Sequence, residues 1–234
     1  MRNRYWWIAF TYIIMQFSGI VGVPVLQYFH VPRHQIAGLW LTISFTIALV
    51  IICILLVPDM KTRHEQQGRV SRMAAIGWAI FGIFLAYVSQ IIAGSIELKV
   101  LGINPQSENT NQLVAIAGYT PYFIVVTSII GPILEEIIFR KIIFGSLYNR
   151  FNFLIAGLIS SLVFAAVHGD FKHLLVYTMM GFVFAFLYVK TKRILVPIVA
   201  HASMNTLVFI LVLNKDAIQN YLEKMQIIIG GIMQ

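Results

Sequence analysis

The chain has 234 residues, 59% of them hydrophobic and only 11% charged, with a mean hydropathy of +0.82. Soluble domains are about 45–50% apolar and about 25% charged, so a water-soluble globule is excluded and a membrane protein of one compact domain is implied. The net charge of +8 comes without a basic patch interleaved with aromatics, which argues against nucleic acid, and the single cysteine, Cys53, excludes a disulfide framework.

A membrane-crossing helix needs about 20 apolar residues. Tyr5–Phe29 is the first such run. Met1–Arg4 before it resembles the basic start of a signal peptide, but the apolar run is too long and lacks a small-residue cleavage site, so it reads as a retained helix. Ala37–Val57, closed by Pro58, is the second span, and the polar stretch Asp59–Arg72 separates it from the third, Met73–Ile96. Glu97–Gln112 reads as a polar loop. Thr120-Pro121 is a good start signal for a fourth helix that could run to Asn149. Asn152–His168 is the fifth span, broken at Gly169-Asp170, and Phe171–Val189 is the sixth. The basic loop Lys190-Thr191-Lys192-Arg193 leads to the seventh, Ile194–Leu213. The tail, Asn214–Gln234, reads as an interfacial segment.

The fold class expected is therefore all-α: a polytopic membrane bundle of about seven transmembrane helices. Its segments are 1–111 (three helices and loops), 112–213 (a four-helix core) and 214–234 (the tail). Placing the N-terminus in the cytoplasm puts twelve of the seventeen Lys and Arg inside and five outside. Cytoplasmic loops carry the excess of basic residues, so this orientation is preferred.

Three constellations place costly polar groups inside these spans. In Glu135-Glu136-Ile137-Ile138-Phe139-Arg140, residues four apart share a helix face, so Glu136 pairs with Arg140. Glu135 is turned about 100° away and keeps a free carboxylate suited to a general base. In Phe164-Ala165-Ala166-Val167-His168, Phe164 and His168 share a face, and the alanines allow close helix approach. In His201-Ala202-Ser203-Met204-Asn205, an imidazole and a carboxamide one turn apart can offer two donors to one point, as an oxyanion requires. Pro132 and Pro197 precede two of these sites. Each is expected to free a carbonyl and widen a polar cavity.

Centring every span on the bilayer puts His168 and His201 on opposite sides of Glu135, with a backbone stagger of roughly 10 Å at 1.5 Å per residue. A lone Glu–Arg pair reads as structural and a lone His at a helix end as interfacial. Six such residues within four successive spans favour a site. His30, His34, His64 and His173 fall in or beside loops and receive no role. Trp6, Trp7, Trp40 and Trp78 read as span or interface residues.

EExxxR, FxxxH and HxxxN, in this order on successive helices, resemble the CPBP family (CAAX proteases and bacteriocin-processing enzymes, also called Abi). The resemblance covers about residues 112–213. It implies an intramembrane endopeptidase in which Glu135, helped by His168, activates the attacking water. His201 and Asn205 would hold the tetrahedral oxyanion. Glu136, Arg140 and Phe164 would support the site. The family picture favours no cofactor, with Zn2+ held by Glu135, His168 and His201 as the alternative; no HExxH pair is present. The implied partners are the lipid bilayer and membrane-associated peptide or protein substrates. The implied location is a bacterial plasma membrane, with peptide pheromone or bacteriocin maturation or self-immunity as roles. A non-catalytic scaffold binding partner proteins and a proton-coupled transporter are the rival readings; the lack of repeated halves weighs against the transporter.

Overall fold

A computed structural model describes residues 3–62, 67–215, 217, 219–221, 223 and 225. Arg2, Arg63, His64, Lys224 and the apolar end of the tail, Ile227–Met233, lie outside the described residues. The described chain is helical, with no strand, as a membrane chain that must satisfy its own backbone requires.

The first apolar run forms α1 (Asn3–Phe17) and α2 (Gly19–Tyr28), bent by 46° at Ser18. α3 (Arg33–Lys61) follows Pro32, and α4 (Arg72–Lys99) is capped by Ser71, whose hydroxyl accepts from the Ala74 amide. The stretch read as a loop contains a further helix, α5 (Glu108–Tyr119), capped in the same way by Ser107. The fourth predicted helix, here α6 (123–148), is continuous but irregular: Val126–Ile130 and Ile137–Phe144 form wide turns with i→i+5 bonding around a regular stretch, Gly131–Glu136. α7 (Phe153–Val167), α8 (Leu174–Thr191) and α9 (Leu195–Leu213) complete the bundle.

Among the described residues, four helices are long and apolar enough to cross a membrane, or five if α1 and α2 form one bent span. The expected count of seven is not reached on this measure, because α7 has only 15 residues and α6 is interrupted. The bundle expected from composition is nonetheless what forms.

The apolar core joins the first three spans to the later ones. Ile8, Tyr12, Ile52 and Leu56 pack with Leu134, Ile138 and Phe164, while Ala86 of α4 packs with Phe184, Leu187 and Met204. Without a hydrophobic drive between helices in lipid, close approach through small residues matters. Gly38 of α3 is one such position: a Cβ there would lie 1.8 Å from the Thr120 hydroxyl. Trp6 and Trp7 lie exposed on the outer surface of α1. Trp40 instead packs inward, donating to the Ser18 hydroxyl at 3.0 Å.

The two ends of the bundle differ. Arg4, Lys61, Arg69, Arg72, Lys141 and Lys190–Arg193 gather at one end. There the buried Asp59 pairs with Arg4, accepts from the Tyr5 hydroxyl at 2.6 Å and pairs with Lys141 at 3.0 Å, tying α1, α3 and α6. The Val70 carbonyl accepts from Arg193 Nε at 2.7 Å, and the Val70 amide donates to Thr191 at 3.2 Å. The opposite end carries α5 and the 100–107 loop.

Candidate active site

Helix α6 supplies the carboxylates. Glu136 is fully buried and accepts from Arg140 Nε at 3.0 Å, one turn along, the pairing expected from helix spacing. Its other oxygen, Oε1, accepts from His201 Nδ1 at 2.9 Å, a link that spacing within one helix cannot reveal. Arg140, also fully buried, donates to Ser160 at 3.4 Å and lies 4.8 Å from the Phe164 ring centroid. An arginine stripped of water needs such carboxylate, hydroxyl and ring partners. Phe164 is thus the hub of the site, its ring also meeting those of His168 and His201 with centroids 4.4 and 5.7 Å away.

Glu135 faces the other way, onto the floor of a cavity of about 490 Å³. Its Oε2 is buried without a hydrogen-bond partner. The two imidazoles converge on this oxygen, with His201 Nε2 at 3.6 Å and His168 Nε2 at 4.0 Å. Their Nδ1 atoms are already committed, to Glu136 in one case and to the Phe164 carbonyl at 2.8 Å in the other. Each ring is therefore oriented with Nε2 towards Glu135.

The stagger expected between His168 and Glu135 is closed in the structure: α7 ends at Val167, where the sequence placed its break, and the His168 ring comes within 4.0 Å of Glu135. His168 follows directly after this short helix, and Gly169 (φ +70°) turns the chain back. His168 therefore hangs inside the bundle.

The two prolines behave differently. In the wide turns of α6 the Gly131 amide donates to the Val126 carbonyl, five residues back. The next donor in that pattern would be residue 132, which is proline and has none. The orphaned Thr127 carbonyl instead accepts from Asn205 Nδ2 at 3.0 Å. By leaving the Thr127 carbonyl without a helix donor, Pro132 lets it hold the carboxamide of α9 beside the cavity, which Thr127 and Asn205 both line. Pro197 does nothing comparable. It sits in the first turn of α9, where an N–H would be unpaired in any case; the expectation that it opens the helix is corrected.

Several cavity residues were missed by sequence reasoning. Glu97, read as the start of a loop, is on α4 and only 2% exposed. It accepts from His173 Nδ1 at 2.7 Å and from the Val176 amide, in the first turn of α8, at 3.1 Å. His173, given no role, is therefore half of a buried pair. Tyr177 packs on the His168 ring at 4.3 Å, and its hydroxyl accepts from Asn109 of α5 at 3.3 Å. A Ser-Glu-Asn-Thr start signal at 107–110 could have revealed α5; nothing in one sequence pairs Glu97 with residue 173.

Among the described residues, no group of three His, Cys, Asp or Glu side chains is set to hold a metal ion.

A family model described as type II CAAX prenyl endopeptidase Rce1-like matches residues 117–207. Membrane-embedded CAAX protease MroQ of Staphylococcus aureus (strain USA300) is 35% identical, over 95% of this chain and 96% of its own. YdiL of Bacillus subtilis (strain 168), whose name assigns it by inference as a membrane peptidase, is 50% identical over 99% of both chains. This chain belongs to the Rce1-like CAAX endopeptidase family. It is a multi-pass membrane protein and a protease. No solved structure matches it.

Proposed function

We propose that the chain is an intramembrane endopeptidase using a Glu135-activated water, without a metal. The observation that carries this reading is the buried, unpartnered Glu135 Oε2 facing two oriented imidazole Nε2 atoms across 3.6 and 4.0 Å. Gaps of that size suit groups that share a water. Glu135 takes the water proton, with His168 helping to hold the water, and the oxygen bonds to the scissile carbonyl carbon. Asn205 keeps one amide hydrogen for the oxyanion while the other binds Thr127. His201 offers a second donor from Nε2 when its ring is protonated, with the Glu136 carboxylate as counter-charge. When the C–N bond breaks, the proton held by Glu135 passes to the leaving amine.

Substrates in this reading are membrane-associated peptides or proteins of a bacterial plasma membrane. Maturation of a peptide pheromone or bacteriocin, or self-immunity, is the role consistent with bacterial relatives. The test is cleavage of a candidate peptide by purified protein. Glu135→Ala should abolish it, and undiminished cleavage would sink the mechanism. A zinc chelator should leave the rate unchanged; loss of activity restored by added zinc would replace the metal-free step.

A further inference from the structure

We propose that His173 is a substrate-binding residue: held by Glu97, its Nε2 accepts a hydrogen bond from a backbone N–H of the peptide, which lies along the wall made by Gln90, Gly94 and His173. This rests on the protease reading for what fills the cavity.

Among the described residues, two buried carboxylates each hold an imidazole by its Nδ1. Glu136 accepts from His201 at 2.9 Å, and Glu97 accepts from His173 at 2.7 Å. In both pairs the second carboxylate oxygen is tied as well, by Arg140 for Glu136 and by the Val176 amide for Glu97. Each carboxylate is thereby fixed, and each ring with it. The first pair turns its Nε2 towards Glu135. The second has no such neighbour.

A carboxylate only accepts, so Nδ1 of His173 carries the proton, and in the neutral ring Nε2 is left as an acceptor. Among the described residues nothing bonds to Nε2, yet it is not sealed off, and the His173 ring lines the cavity. The opening before Nε2 is therefore the cavity. Stability alone is a poor reason for this pair. Two buried ionisable groups often hold a fold no better than packed apolar side chains. Glu97 would also meet the Val176 amide without any histidine beside it. What the ring adds is the nitrogen it offers to an occupant.

The adjoining wall suits an extended peptide. Gln90 and Glu97 are two turns apart on α4 and share a face, with Gly94 between them, and all three line the cavity. A Cβ at Gly94 would meet nothing within 4 Å, whereas one at Gly82 would meet Leu187 at 2.7 Å. Helix packing thus does not require glycine at 94, where alanine would favour the helix. Its missing side chain leaves a clear track beside the Gln90 carboxamide, which can both donate and accept. The rise from Gln90 to Glu97 is roughly 10 Å at 1.5 Å per residue, the length of about three extended residues. Every peptide carries backbone N–H groups, so a bond to Nε2 sets where the chain lies without selecting its sequence.

The probe is the peptide, from a panel of short uncharged peptides carrying fluorescein, that the Glu135→Gln protein binds most tightly in detergent. Analogues replace one backbone N–H at a time by an ester oxygen, which removes a single donor and keeps the shape. At one position the ester is expected to weaken binding by about 2–10-fold, the range for one hydrogen bond. His173→Asn in the same background keeps an amide N–H for Glu97 and has nothing in the place of Nε2. It should bind the parent peptide more weakly by the same factor and lose nothing further with that ester, because both changes remove one bond. Parent binding unaffected by His173→Asn, the same ester loss with and without Nε2, no ester-sensitive position, or no peptide bound at all would each overturn the proposal. Gly94→Leu leaves the Glu97–His173 pair untouched. It should weaken binding while the unfolding midpoint holds or rises; undisturbed binding would overturn the path along this wall. Ester-sensitive binding of this kind with no cleavage by the unsubstituted chain would instead count against the protease reading and leave the role of His173 standing.

Discussion

Glu97 and Glu135 are carboxylates on the wall of one cavity, yet their surroundings are opposite. Both oxygens of Glu97 accept hydrogen bonds, from His173 and from the Val176 amide, where a carboxylate also favours the positive end of α8. Glu135 keeps Oε2 buried and unpaired, with two histidines near but not bonded to it. The first arrangement fastens α4 to α8. The second leaves an acceptor exposed to whatever enters the cavity, at a cost in stability that only use can justify. A buried charge alone therefore does not mark a reactive group; in the proposed mechanism it is the unsatisfied carboxylate facing two oriented imidazoles that acts as the base.

The largest expected effect on this contrast is Glu135→Gln. It should lower turnover by about 10²–10⁴-fold, the usual range for a general base, while the unfolding midpoint in detergent stays put. Arg140→Leu comes next. It strands the Glu136 carboxylate without its guanidinium and should cost about 3–5 kcal/mol in stability, read from denaturant unfolding in detergent, with Glu136→Gln on the same chain recovering part of it. Glu97→Gln should lose about 1.5–3 kcal/mol, the range for hydrogen bonds to a charged group, yet leave the turnover of folded protein close to normal. A collapse of turnover at full stability would erase the distinction between the two carboxylates. Tyr177→Phe is the mildest change. It keeps the ring on His168 and removes the hydroxyl that meets Asn109 and Ser107, for about 0.5–1.5 kcal/mol and little change in rate.

What could be read from sequence followed from helix periodicity. Apolar runs located the long helices, and four-residue spacing paired Glu136 with Arg140 and freed Glu135. Serine caps fixed the starts of α4 and α5 in the structure, but the second was passed over because its helix is short and only partly apolar. Links between helices were out of reach: Glu136 to His201, Glu97 to His173, and the 4.0 Å approach of His168. These depend on how the helices cross, which is not encoded in one local window. The irregular turns of α6 were equally hidden, since wide turns leave no composition signal beyond the proline next to them.

Those turns carry a consequence for how such a chain can vary. A wide turn holds one residue more than a regular one, so the segment before Gly131 behaves as though a residue had been inserted into an ordinary helix. Removing a single residue from Val126–Ile130 would let the backbone relax to regular bonding. The helix on either side would keep its phase, but the carbonyl that Pro132 leaves without a donor would be the one four residues back and no longer Thr127's, five back, so the bond to Asn205 would lose its acceptor. Length in this stretch is thus held as tightly as any side chain in the cavity, and a gap of one residue there would disarm the protein while leaving all its motifs intact.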